Sequence, residues 1–390
     1  MIHRIHATSL LFLLVSSSIA VGQEPSDKIA LPVLKPVDAA MQRFVDEGQV
    51  SGAVTLVAHG GKVAHLGSVG LADIDSEKEM QTYKMFSIAS MTKPVTATAV
   101  MILQDEGKLH IDDKISKYLP EYKNVKLKDG SIPDREITIR DAITHTSGLT
   151  GNQVFDSSLK DSVDQLATRA LRFQPGTAWQ YSPGLNVAGR IVEIVAEKPF
   201  EDFVKERIFE PLQMNNTTFF PNEKQQARIA TLYRMDDKKK SLTAIDNRIV
   251  DPSSVKSPNP SGGLFSTARD MYRFYQMILS GGQFRRTDRI LSQQAVKQMT
   301  SPQTGDLATG FTAGNCWGLG WCVVREPQGV TETLSSGTFG HGGAFGTQGW
   351  VDPETDTIYV LMIQRSDLPN SDDSEIRKSF HKAASEILGL

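Results

Sequence analysis

Residues 86–107 read FSIASMTKPVTATAVMILQDEG. Apolar side chains recur every three or four positions from Met91 to Ile102, and the run stops at Gly107. This spacing and this stop signal predict a helix over 91–106 with one buried face.

Ser90 and Lys93 stand at the start of this helix and are candidates for nucleophilic catalysis. A separation of three residues is one helical turn, so the amine can meet the hydroxyl. The partial positive charge of a helix N-terminus and burial both disfavour an ammonium ion. A neutral Lys93 amine could take the Ser90 proton, and backbone N–H groups at the helix start could stabilise the resulting oxyanion.

The Ser-x-x-Lys spacing is not specific by itself. It recurs in two polar stretches and in the C-terminal helical pattern, at Ser157/Lys160, Ser253/Lys256 and Ser379/Lys382. Only the pair at Ser90 opens an apolar helix, and this setting selects it from the four.

Composition excludes several classes of protein. The 390 residues carry 42 Lys+Arg against 45 Asp+Glu, a net charge of -3, which argues against nucleic acid as the partner. Hydrophobic residues make up 39%, as in ordinary globular proteins. The length allows one large or two moderate domains.

The first 22 residues have the pattern of a secretory signal peptide. A weakly basic start precedes an apolar run at 9–15 and small residues at 20–22. A membrane anchor is the alternative, but the run is shorter than the roughly 20 residues of a spanning helix. We therefore expect a secreted or periplasmic protein without stable membrane insertion after signal removal.

The remaining chain, 30–390, is predicted to form one catalytic domain with two lobes. A glycine-rich connection at 59–62 predicts a β-hairpin. We assign a sheet lobe to about 30–115 and 300–390 and a helical lobe to about 116–299. Helices are expected at 139–145, 161–172, 185–197, 199–208, 267–280, 291–300 and 373–388, and late strands at 318–324, 347–351 and 357–363.

The two cysteines, Cys316 and Cys322, are expected to be free, buried thiols. If 316–322 forms one strand, they lie about 20 Å apart, beyond the reach of a disulfide. Two cysteines alone make a zinc site improbable. No HExxH, Walker, GxGxxG or GxSxG motif occurs, so neither a metal nor an organic cofactor is implied.

The segment at 86–94 resembles the nucleophile motif of the class C β-lactamase and penicillin-binding-protein-like serine hydrolases, which include family VIII carboxylesterases. Four more segments resemble family motifs in the expected order over about 35–388: ITIRDAITHTSGL (137–149), WQYSPGLNVAG (179–189), PSGGLFSTARD (260–270) and GHGG (340–343). The resemblance implies an α/β (α+β) fold of the β-lactamase/transpeptidase type, in which N- and C-terminal helices and a mostly helical lobe flank an antiparallel sheet.

The resemblance also implies catalytic roles. Ser90 matches the acylated nucleophile and Lys93 its base partner, while Tyr181 matches the tyrosine that shares their proton network. Which of Lys93 and Tyr181 takes the first proton stays open. A cationic Lys93 could lower the pKa of Tyr181.

The third motif supplies the other implied site residues. His341 stands where β-lactamases have a lysine, with a packing role as the alternative. Gly342 and Gly343 allow the backbone to approach a substrate, and the N–H of Ala344 would be the second oxyanion donor. Trp321 lines an acyl or alcohol pocket or packs in the core.

Two departures from the family pattern concern the substrate. Pro183 replaces the asparagine of the Tyr-x-Asn motif, and Asn186, three residues on, is the remaining candidate for a substrate amide contact. Histidine at 341 weakens the positive charge that holds a β-lactam or peptide carboxylate. His145, in HTSGL, is interpreted as structural.

Together these features predict a serine hydrolase that cleaves carboxylic esters through an acyl-serine intermediate. The alternatives are a β-lactamase or D-amino-peptidase/DD-carboxypeptidase, and a non-catalytic member that binds cell-wall fragments or another protein. The substrate would be a small ester, lactam or peptide. The sequence does not indicate the oligomeric state.

Overall fold

Two strands from opposite ends of the chain lie next to each other in the middle of the large sheet. The computed structural model describes residues 35–151, 157–236, 238, 240–245 and 255–390. Strand β1 (Gly52–His59) pairs antiparallel with β12 (Thr357–Met362), with Val54 opposite Met362 and His59 opposite Thr357. The N- and C-terminal parts of the chain therefore build one sheet.

The large sheet has eight strands in the order β3-β2-β1-β12-β11-β10-β9-β8, and each pair is antiparallel. Its other strands are β2 (Lys62–Asp73), β3 (Lys78–Glu79), β8 (Asn315–Trp317), β9 (Cys322–Val324), β10 (Phe339–Gly342) and β11 (Gln348–Asp352). Two small pairs are β4 (Phe86–Ser87) with β7 (Phe265–Ser266), and β5 (Tyr233–Asp236) with β6 (Ser241–Ala244).

The helices lie on the two faces of the sheet and in the insertion between its halves. They are α1 (Lys35–Asp46), α2 (Thr92–Asp105), α3 (Ile139–Ile143), α4 (Leu159–Ala167), α5 (Gly184–Ala196), α6 (Phe200–Val204), α7 (Glu223–Gln226), α8 (Ala268–Leu279), α9 (Gln293–Thr300) and α10 (Glu375–Leu388). A π-helical turn, Lys205–Phe209, continues α6.

Alternating side chains of the central strands fill two cores. In β12, Ile358 and Val360 belong to the core that contains α2 and α8, while Tyr359 and Leu361 face the core beneath α1 and α10. Successive residues of a strand point to opposite faces. Helices cover both faces of the sheet here, so β12 is buried throughout and apolar from Ile358 to Met362.

Helix α2 is buried on every side, which corrects the prediction of one buried face. All residues from Thr92 to Leu103 are buried, because the helix packs between the sheet and α5, α6 and α9. A helix enclosed in this way is apolar all round, and Lys93 is its one charged residue in that span.

The cysteine-containing segment also differs from its prediction. Residues 318–321 form a turn between β8 and β9, closed by Gly318 N–H on the Trp321 carbonyl at 2.8 Å. The strand expected over 318–324 is therefore confirmed only for Cys322–Val324, because the chain reverses at 318–321. Both cysteines are nevertheless free and buried, as expected.

The antiparallel sheet flanked by N- and C-terminal helices confirms the predicted fold class. The signal-peptide prediction falls on residues that lie outside the described ranges. Within those ranges, no helix combines the length and apolar character needed to cross a bilayer.

Candidate active site

Ser90 lies in a strained turn at the entrance to α2. A 3₁₀ turn, Ala89–Met91, precedes the helix, and Ala89 has a φ of 42°, a left-handed conformation that costs a residue with a Cβ roughly 1 kcal/mol or more. Strand β4 ties the turn to β7, and Ile88 N–H donates to the Leu264 carbonyl at 2.9 Å. These contacts hold the Ser90 hydroxyl at a partly exposed position.

Two side chains converge on the Ser90 hydroxyl. Lys93 Nζ lies 3.1 Å from Ser90 Oγ, and the Tyr181 hydroxyl donates to the same oxygen at 2.8 Å. The Lys93 Nζ lies 4.5 Å from the centre of the Tyr181 ring. The structure therefore brings together three of the residues that the sequence selected, including one from a segment 91 positions away.

Lys93 is poised to act as a base. It is 2% exposed, and burial lowers its pKa to about 7, although the charge of Asp372 opposes this effect. A substantial fraction of the amine is therefore neutral near pH 7. Its Nζ donates to the Ser261 carbonyl at 2.6 Å, which leaves the lone pair of the neutral amine free for the Ser90 proton.

Tyr181 is a proton donor in this arrangement. Burial raises the pKa of its phenol, and the hydrogen bond to Ser90 opposes that rise only in part. The expectation that a cationic Lys93 lowers the pKa of Tyr181 is therefore wrong, because burial dominates. Because the phenol keeps its proton and donates a hydrogen bond to Ser90 Oγ, Lys93 is the neighbour of Ser90 that has a lone pair available for a proton.

A buried amide network places the Ser261 carbonyl next to Lys93. The Ser261 N–H donates to the side-chain oxygens of Asn186 at 2.9 Å and of Asn259 at 3.0 Å. Asn186 lies in the first turn of α5 and is buried. The sequence selected Asn186 for a substrate contact, whereas its amide oxygen faces the backbone that supports Lys93.

His145 supports Tyr181 from behind. Its ring stacks on the Tyr181 ring with centroids 4.4 Å apart, and its Nδ1 accepts the Ser182 N–H at 3.1 Å. Burial lowers the pKa of His145 well below its ordinary value, so the ring is neutral. The backbone hydrogen bond agrees with a structural interpretation, but the stacking on Tyr181 was not predictable from HTSGL.

His341 lies in β10 beside Tyr181 and is uncharged. The ring centroids of His341 and Tyr181 are 6.2 Å apart. Burial lowers the pKa of His341 to about 3, aided by the charge of Lys93. Its Nδ1 donates to the Gly342 carbonyl at 2.6 Å, so Nε2 carries a lone pair and no proton.

The glycines after His341 allow the strand to approach the nucleophile turn. A Cβ on Gly343 would come within 2.6 Å of the Ile88 carbonyl oxygen, and one on Gly342 would overlap the Asp372 carboxylate. Ala344 follows in an exposed turn, at the position that the resemblance gives to the second oxyanion donor.

The aromatic residues beside Tyr181 differ from the one that the sequence selected. Trp321 stacks on Phe274 at 6.0 Å in the core instead. We name Trp179, Phe311 and Trp317 the aromatic wall; their ring centroids lie 6.4, 5.0 and 6.1 Å from that of Tyr181. Phe311 is 43% exposed, so the wall reaches solvent.

No periodicity marked Phe311, which reaches the site on a loop. Trp317 lies in β8, directly before the run at 318–324 that the sequence predicted to be a strand. In the described part of the chain, no group of three His, Cys, Asp or Glu side chains has the arrangement of a metal site.

Comparison with known proteins identifies the family. The model of the beta-lactamase family matches residues 37–383. The chain belongs to the beta-lactamase family. This membership, together with esterase relatives, makes it a serine hydrolase of the beta-lactamase fold.

Relatives cover most of this beta-lactamase-family chain. It is 33% identical over 360 residues to an uncharacterised protein of Mycobacterium tuberculosis. The match spans 84% of this chain and 88% of that protein. It is 29% identical over 349 residues to esterase EstB of Burkholderia gladioli, covering 81% of this chain and 86% of the esterase.

Among solved structures, EstCE1, described as a hydrolase with promiscuous acyltransferase activity, superposes with a TM-score of 0.77. The two share 23% sequence identity over 90% of this chain and 97% of EstCE1. At this identity the likeness shows a shared fold.

Proposed function

We propose that this protein is a carboxylesterase of the family VIII type that works through an acyl-Ser90 intermediate. One observation carries the proposal: Ser90 Oγ lies 3.1 Å from Lys93 Nζ and 2.8 Å from the Tyr181 hydroxyl, with Lys93 buried and its pKa near 7. A nucleophile needs such a base and donor within hydrogen-bond reach.

The acylation step follows from these contacts. Lys93 Nζ takes the Ser90 proton while Oγ attacks the ester carbonyl, and backbone N–H groups of Ser90 and Ala344 stabilise the oxyanion. The Tyr181 hydroxyl then protonates the departing alkoxide, and the Lys93 ammonium returns the proton to Tyr181. In the second half of the reaction, Lys93 and Tyr181 take a proton from the attacking water and return one to Ser90 Oγ, which releases the carboxylic acid.

The surroundings of the site favour neutral substrates. His341 is buried and uncharged, so it supplies no fixed cation for a β-lactam or peptide carboxylate. Asn186 holds the Ser261 backbone, and Pro183 has no amide to take its place. An ester with an apolar acyl or alcohol group needs neither contact and can pack on the aromatic wall.

Substrate comparison and active-site labelling test this proposal together. The wild type should hydrolyse p-nitrophenyl butyrate with a kcat/KM at least about 100-fold above its value for a chromogenic cephalosporin or a D-Ala-D-Ala peptide. Preferred cleavage of the lactam or peptide would support a β-lactamase or peptidase instead.

Covalent labelling separates the enzyme from a non-catalytic binding protein. A fluorophosphonate probe should modify Ser90, and mass spectrometry should find no label after Ser90→Ala. Ser379→Ala is the matched control, because Ser379 has the same spacing to Lys382, and labelling should be unchanged. A folded wild type that reacts with neither ester nor probe would contradict the proposal.

A further inference from the structure

A second cavity lies outside the active site. It has a volume of about 830 Å³ and is bounded by the end of α8, by α9 and by strands β9 and β10. Volumes of roughly 300 to 1,000 Å³ are typical of ligand pockets. None of Ser90, Lys93, Tyr181 or His341 lines it.

The inner wall of this cavity is apolar. Helices α8 and α9 contribute Ile278, Leu279 and Val296, and the strands contribute Val323 and Phe339. An apolar chain placed there would leave water and gain roughly 25 cal/mol for each Å² that it buries.

The polar lining of the cavity is positively charged. Lys297 and Arg325 line the cavity and are exposed. One guanidinium nitrogen of Arg325 donates to the Gly305 carbonyl at 2.6 Å, which fixes the group and leaves its other donors available. Among the described residues, the lining contains no aspartate or glutamate. The two cations therefore have no acidic partner within the cavity lining.

We propose that this cavity is a second, non-catalytic ligand site for an amphiphilic carboxylate of the fatty-acid type. Its apolar chain would pack on Ile278, Val296 and Phe339, and its carboxylate would bind Lys297 and Arg325. The charge complementarity selects the anion, because a cationic amphiphile would meet like charges.

The proposed ligand site lies close to β10, the strand of His341, without being part of the catalytic centre. Phe339 belongs to β10, two residues before His341. Binding of the carboxylate does not depend on catalysis at Ser90, so the test of this site and the test of the esterase proposal can fail separately.

Isothermal titration of the protein with dodecanoate tests the site. Thr300 lines the cavity from α9 and is partly exposed, so the larger side chain of Thr300→Trp should occupy the part of the cavity next to α9 without disturbing the core. We expect Thr300→Trp to weaken dodecanoate binding at least about tenfold and to leave the hydrolysis of p-nitrophenyl butyrate unchanged. Equal binding to wild type and Thr300→Trp would overturn the proposal, as would no binding to the wild type.

Charge reversal tests the head-group contact and does not depend on how Thr300→Trp folds. Lys297→Glu combined with Arg325→Glu should weaken dodecanoate binding about tenfold and should not weaken binding of dodecanol. Lys62→Glu, at the exposed start of β2, is the matched control and should not change either affinity. An equal loss for acid and alcohol would contradict the carboxylate assignment.

Discussion

The entrance to α2 and the middle of α10 carry the same pair of residues with different consequences. In each, a serine precedes a lysine by three residues, as Ser90/Lys93 and Ser379/Lys382. Lys93 is 2% exposed and contacts the serine hydroxyl at 3.1 Å. The Lys382 side chain is 59% exposed and lies 3.9 Å from Glu386, while Ser379 donates to Glu375.

The contrast shows that spacing alone does not produce a base. Helical geometry allows both pairs to meet, but only α2 is enclosed by the sheet and other helices. Enclosure removes water from Lys93 and lowers its pKa to about 7. It also brings Tyr181 and the Ser261 carbonyl to the pair, whereas the pair on α10 interacts with surface carboxylates.

The largest expected effect comes from removing each lysine in turn. Lys93→Ala should lower kcat/KM for p-nitrophenyl butyrate at least about 10³-fold, because Ser90 loses the base that lies 3.1 Å from its hydroxyl. Lys382→Ala should stay within about twofold of wild type, because an exposed pair contributes little. Comparable losses of kcat/KM in the two variants would contradict the conclusion that only the buried lysine acts as a base.

The second effect concerns the Tyr181 phenol, which donates to Ser90, whereas Ser379 contacts Arg43 and Glu375. Tyr181→Phe keeps the ring stacked on His145 but removes the donor to Ser90 Oγ. We expect kcat to fall about 10²-fold, within the usual range for a general acid. Tyr275→Phe is the matched control, because Tyr275 is also a buried tyrosine but does not line the Ser90 site, and it should retain activity. If Tyr181→Phe kept the activity of the wild type, catalysis would depend on Ser90 and Lys93 without the phenol.

The third effect is the pH dependence that burial imposes on Lys93. Its pKa is lowered from the ordinary lysine value to about 7, and only the neutral amine can accept the Ser90 proton. The kcat/KM should therefore rise about tenfold per pH unit below that pKa and level off above it. The raised pKa of Tyr181 predicts no alkaline decline from the phenol near neutral pH. Initial rates measured from about pH 5 to 9 test both the rise and the plateau of kcat/KM. If kcat/KM rose only at the alkaline end of this range, Lys93 would be charged at neutral pH and the proposed effect of burial would be wrong.

The smallest effect concerns the support beneath Lys93. Asn186→Ala removes one of two acceptors of the Ser261 N–H, so kcat should fall about fivefold with little change in KM. Asn222→Ala also removes an acceptor of a backbone N–H, that of Gln225 at 3.0 Å, and should leave kinetics unchanged. A change in KM alone for Asn186→Ala would favour the substrate contact that the sequence suggested.

Much of the fold was predictable because strong local patterns agreed with one another. The hairpin of β1 and β2, helix α2 and the closing helix α10 each follow from periodicity and turn residues. The hairpin of β8 and β9 was not predictable, because the apolar run from Trp317 to Val323 favours a single strand. The turn at 318–321 is evident only in the structure. Periodicity also could not show that α2 is covered on both sides.

At the site, sequence motifs named Ser90, Lys93, Tyr181 and His341, and the structure brings all four together. The same motifs did not indicate what Asn186 contacts, and they left open whether Trp321 lines a pocket or packs in the core. Phe311, Trp317 and the Ser261 carbonyl reach the site from segments whose patterns carry no catalytic signal. Such contacts arise between distant parts of the chain and leave no periodicity to read.

The sequence by itself determined the one-turn separation of Ser90 and Lys93, the start and end of α2, and the fold class, because these depend on residue spacing along the chain. Only the tertiary structure decided how completely Lys93 is shielded from water, at what distance the Tyr181 phenol meets Ser90 and whether His341 carries charge. The free energy of an ion depends on the solvent that surrounding segments exclude, and that exclusion exists only after they have packed.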